Sequence, residues 1–272
     1  MFDTQVVVIG GASVGLSLSA ELAHHGIANV VVEEQWEVNQ HPRANAVACR
    51  TMEYYRRWGI AEALVSAGIP PEHPADYYWV SSLNGKEIHR LSLPSQAQLE
   101  ELRLVTPFAT DERLHWSPYI KCNVGQNEVE EILRAHLVDL PVADVRLGLR
   151  FVSFTEHEDH VESLLVDMDG MQHRVRSQYL VGCDGGRSAV RAQLGIVYEG
   201  EGNLAEFVSV YFRAPELMNA HSFGPANIYF PLHREHAGYL INWDRGESWT
   251  YHLQLKHGKI CDPKRFKFLF IG

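Results

Sequence analysis

Gln5-Val-Val-Val-Ile-Gly-Gly-Ala-Ser-Val-Gly-Leu16, followed by Val30-Val-Val-Glu-Glu34, decides the reading of this chain. Val6 to Ile9 form a β-branched apolar run, Gly10 and Gly15 punctuate a tight turn, and Leu16 to His25 have helical periodicity that Gly26 stops. The order is strand, glycine turn, helix, strand, with an acid closing the second strand. Such a unit holds a dinucleotide: the turn brings backbone amides to the pyrophosphate, the helix N-terminus adds positive potential, and the acid accepts ribose hydroxyls. Candidate contacts are Gly10, Ala12, Ser13, Val14 and Gly15 in the turn, with Glu33 as the acid. The second glycine of G-x-G-x-x-G is replaced by Ala12, so a methyl group points at the ligand or the turn opens; weaker affinity is expected. The alternative is an ordinary buried βα unit.

Composition bounds the remaining choices. A length of 272 residues suits one large domain or two intimately joined ones, and 46% hydrophobic with 21% charged residues is globular. No run approaches the ~18 apolar residues of a membrane span, and the first apolar run follows Asp3 rather than a basic segment, so a cytoplasmic protein is expected. A net charge of −10 speaks against nucleic acid and anionic membrane as partners. Cys49, Cys122, Cys183 and Cys261 are scattered, without a C-x-x-C pair. The fifteen histidines are also dispersed, and His233-x-x-His236 lacks a nearby third ligand, so no metal is expected.

Along the chain, His41-Pro42-Arg43 forces an extended or turned backbone, and Thr51 is the expected cap of a helix through Met52, Tyr55 and Trp58 that Gly59 ends. Residues 60–68 read as a second short helix, and Tyr77 to Ser81 with Lys86 to Leu91 as a hairpin around Asn84-Gly85. Residues 93–118 give no clear periodicity. Gln126 to Leu140 do, as a helix. Arg146 to Phe154, Val161 to Met168 and Gln172 to Arg176 alternate as an antiparallel meander. Tyr179-Leu-Val then leads into a second glycine turn and a helix ending at Gly195. Later strands are expected at Phe207 to Phe212, Asn227 to Phe230, Tyr239 to Trp243 and Trp249 to Leu255, before a tail rich in Lys and Arg.

Four stretches together resemble the FAD-dependent aromatic hydroxylases, class A flavoprotein monooxygenases similar to para-hydroxybenzoate and phenol hydroxylases. They are Val8 to Leu16 with Glu33; His41-Pro-Arg-Ala44 with Arg50-Thr-Met-Glu53; Gly125-Gln126 leading into Val129-Glu130 and Ile132-Leu133; and Tyr179-Leu-Val-Gly-Cys-Asp-Gly-Gly-Arg-Ser-Ala-Val-Arg191. The resemblance implies an α/β fold: a Rossmann-like FAD-binding domain (1–70, 116–140 and 178–198) and a β-rich substrate domain (71–115 and 199–255). The meander 141–177 is attached to the first, and 256–272 form an atypical tail.

It also implies FAD and NAD(P)H as cofactors and hydroxylation of a small phenolic or other aromatic substrate by O2 through a flavin C4a-hydroperoxide. Arg43 offers a bidentate fork to phosphate, or is a loop cation. Gln126 donates to a ribityl or phosphate oxygen, or caps its helix. Asp184 accepts a cofactor hydroxyl, with Gly185 and Gly186 permitting close approach; the alternative is a plain Asp-Gly turn. Arg187 contacts the pyridine nucleotide or pairs with a carboxylate. Tyr211, Tyr229, Tyr239, Asn242 and His252 are substrate-pocket candidates or packing residues, and no catalytic base is assigned. The family's later Gly-Asp fingerprint has no counterpart before Gly272, so a C-terminally truncated form is expected; a non-catalytic remnant and a flavoenzyme of another reaction type are the alternatives.

Overall fold

A computed structural model describes residues 2–202, 204–232 and 238–255. In chain order its elements begin with β1 (Phe2–Ile9), α1 (Ser13–His24), β2 (Asn29–Glu33), α2 (Cys49–Arg57), α3 (Ala61–Ala67), β3 (Tyr77–Val80), β4 (Glu87–Leu91), α4 (Gln96–Val105) and α5 (Gln126–Val138). They continue with β5 (Ala143–Leu147), β6 (Leu149–Glu156), β7 (Val161–Asp167), β8 (Gln172–Gly182), α6 (Ala189–Gln193), β9 (Phe207–Arg213), β10 (Ile228–Pro231), β11 (Gly238–Asn242) and β12 (Ser248–Gln254). Two compact units divide the chain. One takes the described part of Met1–Ala44, Tyr54–Leu64 and Gln126–Glu199; the other takes Asn45–Glu53, Val65–Gly125 and the described part of Gly200–Gly272.

The first unit is built on a six-stranded sheet of order β5-β2-β1-β8-β7-β6. β5, β2, β1 and β8 run parallel, and β8 continues into antiparallel pairing with β7, as β7 does with β6. Parallel strands are covered on both faces, and the unbroken valine runs of β1 and β2 meet that demand. Val6, Val8 and Val31 pack with Leu18 and Leu22 of α1, while Val7, Ile9, Val30 and Val32 face Leu165, Val175 and Phe151.

The expected strand Arg146 to Phe154 is in fact two. Gly148 has φ +71°, a left-handed conformation that ends β5, and the chain restarts as β6 at the opposite edge of the same sheet. A methyl at Gly148 would lie 2.5 Å from the Trp36 ring, so both backbone and packing require glycine there. Conversely, Gln172 to Arg176 and Tyr179-Leu-Val, read as separate runs, form the single strand β8. Thr51 is not a cap: α2 begins at Cys49, which leaves Thr51 inside the first turn.

The second unit holds a sheet of order β4-β3-β10-β11-β12-β9. The expected hairpin is β3–β4, closed by Gly85 donating to the Ser82 carbonyl. Tyr78, Tyr229, Leu240, Trp249 and Tyr251 build the core on one face. Tyr78 and Tyr229 stack with centroids 5.6 Å apart and donate their hydroxyls to the carbonyls of Phe223 and Gly224, at 2.6 and 2.5 Å. The other face carries the stacked pairs Trp79–Phe230 and Tyr239–His252. Within the stretch without clear periodicity lies α4, opened by a reciprocal capping box: Gln98 N–H donates to Ser95 Oγ and Ser95 N–H to Gln98 Oε1.

No described helix is long and apolar enough to cross a membrane. Among the described residues no cluster of His, Cys, Asp and Glu is arranged to hold a metal. His233, His236 and the basic tail lie outside the described residues.

Candidate cofactor site

A cavity of about 800 Å³ opens at the C-terminal ends of β1, β2 and β8, all within the first unit. That is the end where open α/β sheets bind ligands, because loops and helix N-termini meet there. Gly10, Ala12 and Glu33 line it from the first βα unit, Arg43 and Gln126 from the segments that follow, and Asp184, Gly185 and Arg187 from the second glycine turn. Eight of the eleven residues expected to contact a cofactor are thus brought together. Ser13, Val14 and Gly15 do not line the cavity. They form the first turn of α1, where Gly15 is buried and Val14 exposed.

Each turn is fixed by its own polar groups. Gly10 has φ +105° and donates to the Val32 carbonyl at 2.8 Å. Glu33 Oε2 accepts from Gly11 N–H at 2.7 Å and Oε1 from Gln35 N–H at 2.9 Å, which ties the glycine turn to the end of β2. In the second turn, Asp184 Oδ2 accepts from Ala189 N–H at 2.6 Å and Val190 N–H at 3.3 Å. Asp184 Oδ1 is buried and has no hydrogen-bond partner among the described residues. Beside it, burial pushes the Cys183 thiol above its ordinary pKa, with the Asp184 charge acting in the same direction, so this cavity-lining sulfur stays protonated at neutral pH.

Sequence reasoning assigned no role to Glu130. It is buried at 4% exposure, lines the cavity, and through Oε1 accepts from Ser13 N–H, Ser13 Oγ and Gln126 Nε2. The signal was present: Gln126 and Glu130 stand four apart and therefore share one face of α5.

The five substrate-pocket candidates do not form one group. β-strand alternation puts Tyr229 and Asn242 on the core face and Tyr211, Tyr239 and His252 on the opposite face. Tyr229 and Asn242 are fully buried, and Asn242 Oδ1 accepts from Asp244 and Gly246 N–H in a tight turn. His252 Nδ1 lies 2.7 Å from Ser209 Oγ.

The FAD binding domain family model matches residues 3–266. The chain belongs to the FAD binding domain family. A 4-methyl-5-nitrocatechol 5-monooxygenase from a Burkholderia species is 33% identical over 214 residues, covering 78% of this chain and 36% of the relative. An aklavinone 12-hydroxylase from Streptomyces peucetius subsp. caesius is 30% identical over 264 residues, covering 97% of this chain and 50% of the relative. Among solved structures, an aklavinone-11 hydroxylase in ternary complex with FAD and aklavinone superposes with a TM-score of 0.83 at 28% identity, over 99% of this chain and 50% of that one. The flavin-dependent monooxygenase PieE, in complex with FAD and substrate, gives 0.86 at 25% identity, over 98% and 46%. The chain spans about half the length of these relatives or less.

The residues present fit FAD. The unpartnered Asp184 Oδ1 is an acceptor in want of a donor such as a cofactor hydroxyl, and a methyl at Gly185 would enter open space. Arg43 and Arg187 bring positive charge to the same cavity, as a pyrophosphate requires.

Proposed function

We propose that the protein to which this chain belongs is an FAD-dependent monooxygenase that hydroxylates a phenolic or other aromatic substrate with O2 and NAD(P)H. The observation that carries the reading is the convergence of Gly10, Glu33, Arg43, Gln126 and Asp184 on one cavity in a chain of the FAD binding domain family. The names of the relatives, a nitrocatechol monooxygenase and an aklavinone hydroxylase, support the substrate class.

When bound, FAD supplies the electron transfer to dioxygen that no side chain offers. One oxygen atom is inserted into a ring C–H bond as a hydroxyl and the other leaves as water, with NAD(P)H supplying both electrons and a proton completing the water. The side chains bind and orient. Arg43 would neutralise the pyrophosphate, Arg187 would meet the pyridine nucleotide, and Asp184 Oδ1 would accept a hydroxyl. Glu33 keeps lone pairs for ribose beyond those taken by Gly11 and Gln35. The β-rich second unit is assigned to the substrate, and alternation allows only one set, Tyr229 with Asn242 or Tyr211 with Tyr239 and His252, to face it. A cytoplasmic location belongs to this reading and suits cysteines that form no disulfide among the described residues.

The test is purification with FAD, followed by NAD(P)H oxidation stimulated by phenolic or polycyclic substrates and incorporation of label from isotopic dioxygen. Retained flavin with label in the product is expected. Folded protein that retains no flavin, or substrate-dependent oxidation without label in the product, would overturn the reading.

A further inference from the structure

Helix α1 opens at Ala12, whose side chain offers no acceptor to the orphan amides of the first turn. Glu130 Oε1 fills that role from 117 residues away, accepting from Ser13 N–H and Ser13 Oγ, both at 3.0 Å. The same oxygen accepts from Gln126 Nε2 at 2.7 Å. Three donors from two elements therefore converge on one buried carboxylate oxygen, while no described donor reaches Oε2. Hydrogen bonds to a charged acceptor are the strong ones, and removing the acceptor would leave the Ser13 amide and the Gln126 side chain unpaired together.

We infer that Glu130 is a positioning residue for the cofactor: by holding the first turn of α1 and the Gln126 side chain on one oxygen, it sets the spacing between the two cavity-lining residues Ala12 and Gln126 that face FAD. The inference rests on the reading of the cavity as an FAD site. It differs from simple capping in a way that can be measured. Ala12 has φ −85° and ψ −175°, the extended backbone of a helix N-cap, so Ala12→Ser installs a local cap. That serine replaces Glu130 as a cap and leaves Gln126 unheld.

The experiment titrates FAD, followed by flavin fluorescence, into the full chain and into Glu130→Ala, Gln126→Ala, Ala12→Ser, Glu130→Ala/Gln126→Ala and Glu130→Ala/Ala12→Ser. Thermal unfolding and hydrogen exchange of the Ser13 amide are measured alongside. Glu130→Ala is expected to weaken FAD roughly 10- to 100-fold, the size of a charge-assisted hydrogen bond lost. Adding Ala12→Ser restores the unfolding temperature and amide protection, while FAD stays about tenfold or more weaker than in the Ala12→Ser single variant, which is the reference for this pair because Ala12 itself lines the cavity. Adding Gln126→Ala to Glu130→Ala brings little further loss, because the two act as one unit.

Affinity within about twofold of the parent in Glu130→Ala, full recovery of the Ala12→Ser affinity in Glu130→Ala/Ala12→Ser, or additive losses with Gln126→Ala would each overturn the inference. If Glu130→Ala does not fold, Glu130→Gln replaces it: it keeps an acceptor but loses the charge, and a loss of roughly three- to tenfold is expected. A parent chain that takes up no FAD refutes the cavity reading separately. The inference is then decided in the cofactor-free chain, where unchanged Ser13 exchange in Glu130→Ala overturns it.

Discussion

Replacing Gly10 by alanine puts the strand–turn–helix unit to its most direct test. A methyl there would lie 2.6 Å from the Cys183 carbonyl carbon and 2.9 Å from Asp184 N, both backbone atoms that cannot rotate aside. Carbon atoms pack at about 3.5–4.0 Å, so the Cys183–Asp184 segment must retreat by about 1 Å. The strands are pinned at that point, with Cys183 N–H donating to the Ile9 carbonyl at 2.7 Å. Overpacking costs about 1–3 kcal/mol, and holding a non-glycine residue at φ +105° adds about 1–3 kcal/mol. At about 2–4 °C per kcal/mol for a domain of this size, unfolding should come at least roughly 4 °C earlier. Because Asp184 moves with the clash, FAD affinity should fall roughly tenfold or more. Gly202→Ala is the control, since its methyl meets nothing within 4 Å and it does not line the cavity. Calorimetry and FAD titration decide the matter. Gly10→Ala behaving like Gly202→Ala in both would refute the argument.

Asp184→Ala removes the acceptor for Ala189 and Val190 N–H, so a stability loss of about 1–2 kcal/mol together with weaker FAD binding is expected from denaturant unfolding and flavin titration. His221 has two buried ring nitrogens without a partner among the described residues, and burial holds its pKa below the ordinary value, as it does for His73 and His136. Such a histidine stays neutral in the fold. The stability it allows is present above the unfolded value, about 6.5, and is lost as pH falls through the lower folded value. His221→Phe should therefore raise the unfolding temperature at neutral pH and flatten its decline below about pH 6.5 in a pH series of melting curves. Ser95→Ala should cost about 1 kcal/mol by breaking the capping box, with no change in FAD binding. Ala12→Gly should tighten FAD measurably in a titration; unchanged affinity would mean that the turn already accommodates the methyl.

Local pattern carried the first unit far. The valine run, the glycine turn and Glu33 are consecutive signals, and the chemistry they imply needs no long-range information. Gly148 shows where such reading stops: alternation runs on through Leu147 and Leu149, and only the sheet order reveals that the chain has changed edges. Helix α4 was missed for the opposite reason. It buries no residue, so it leaves no apolar period, although Ser95 and Gln98 announced its start. The partnership of Ser13 with Glu130 spans 117 residues, and no local window contains it. The split of Tyr229 from Tyr239 needed the pairing of two strands, Tyr229 opposite Leu240, which alternation within either strand does not supply.

The passage through Gly148 has a consequence for how the first sheet fails. Its two outer strands, β5 and β6, are separated by one residue of chain, so the sheet's boundaries are tethered to each other. A strand that slides by one residue turns every side chain to the wrong face, and free edges are where such sliding begins. Here neither boundary can slide without dragging the other. Lengthening the link at Gly148 would slacken that tether and expose the sheet to mispairing while leaving each strand's sequence untouched.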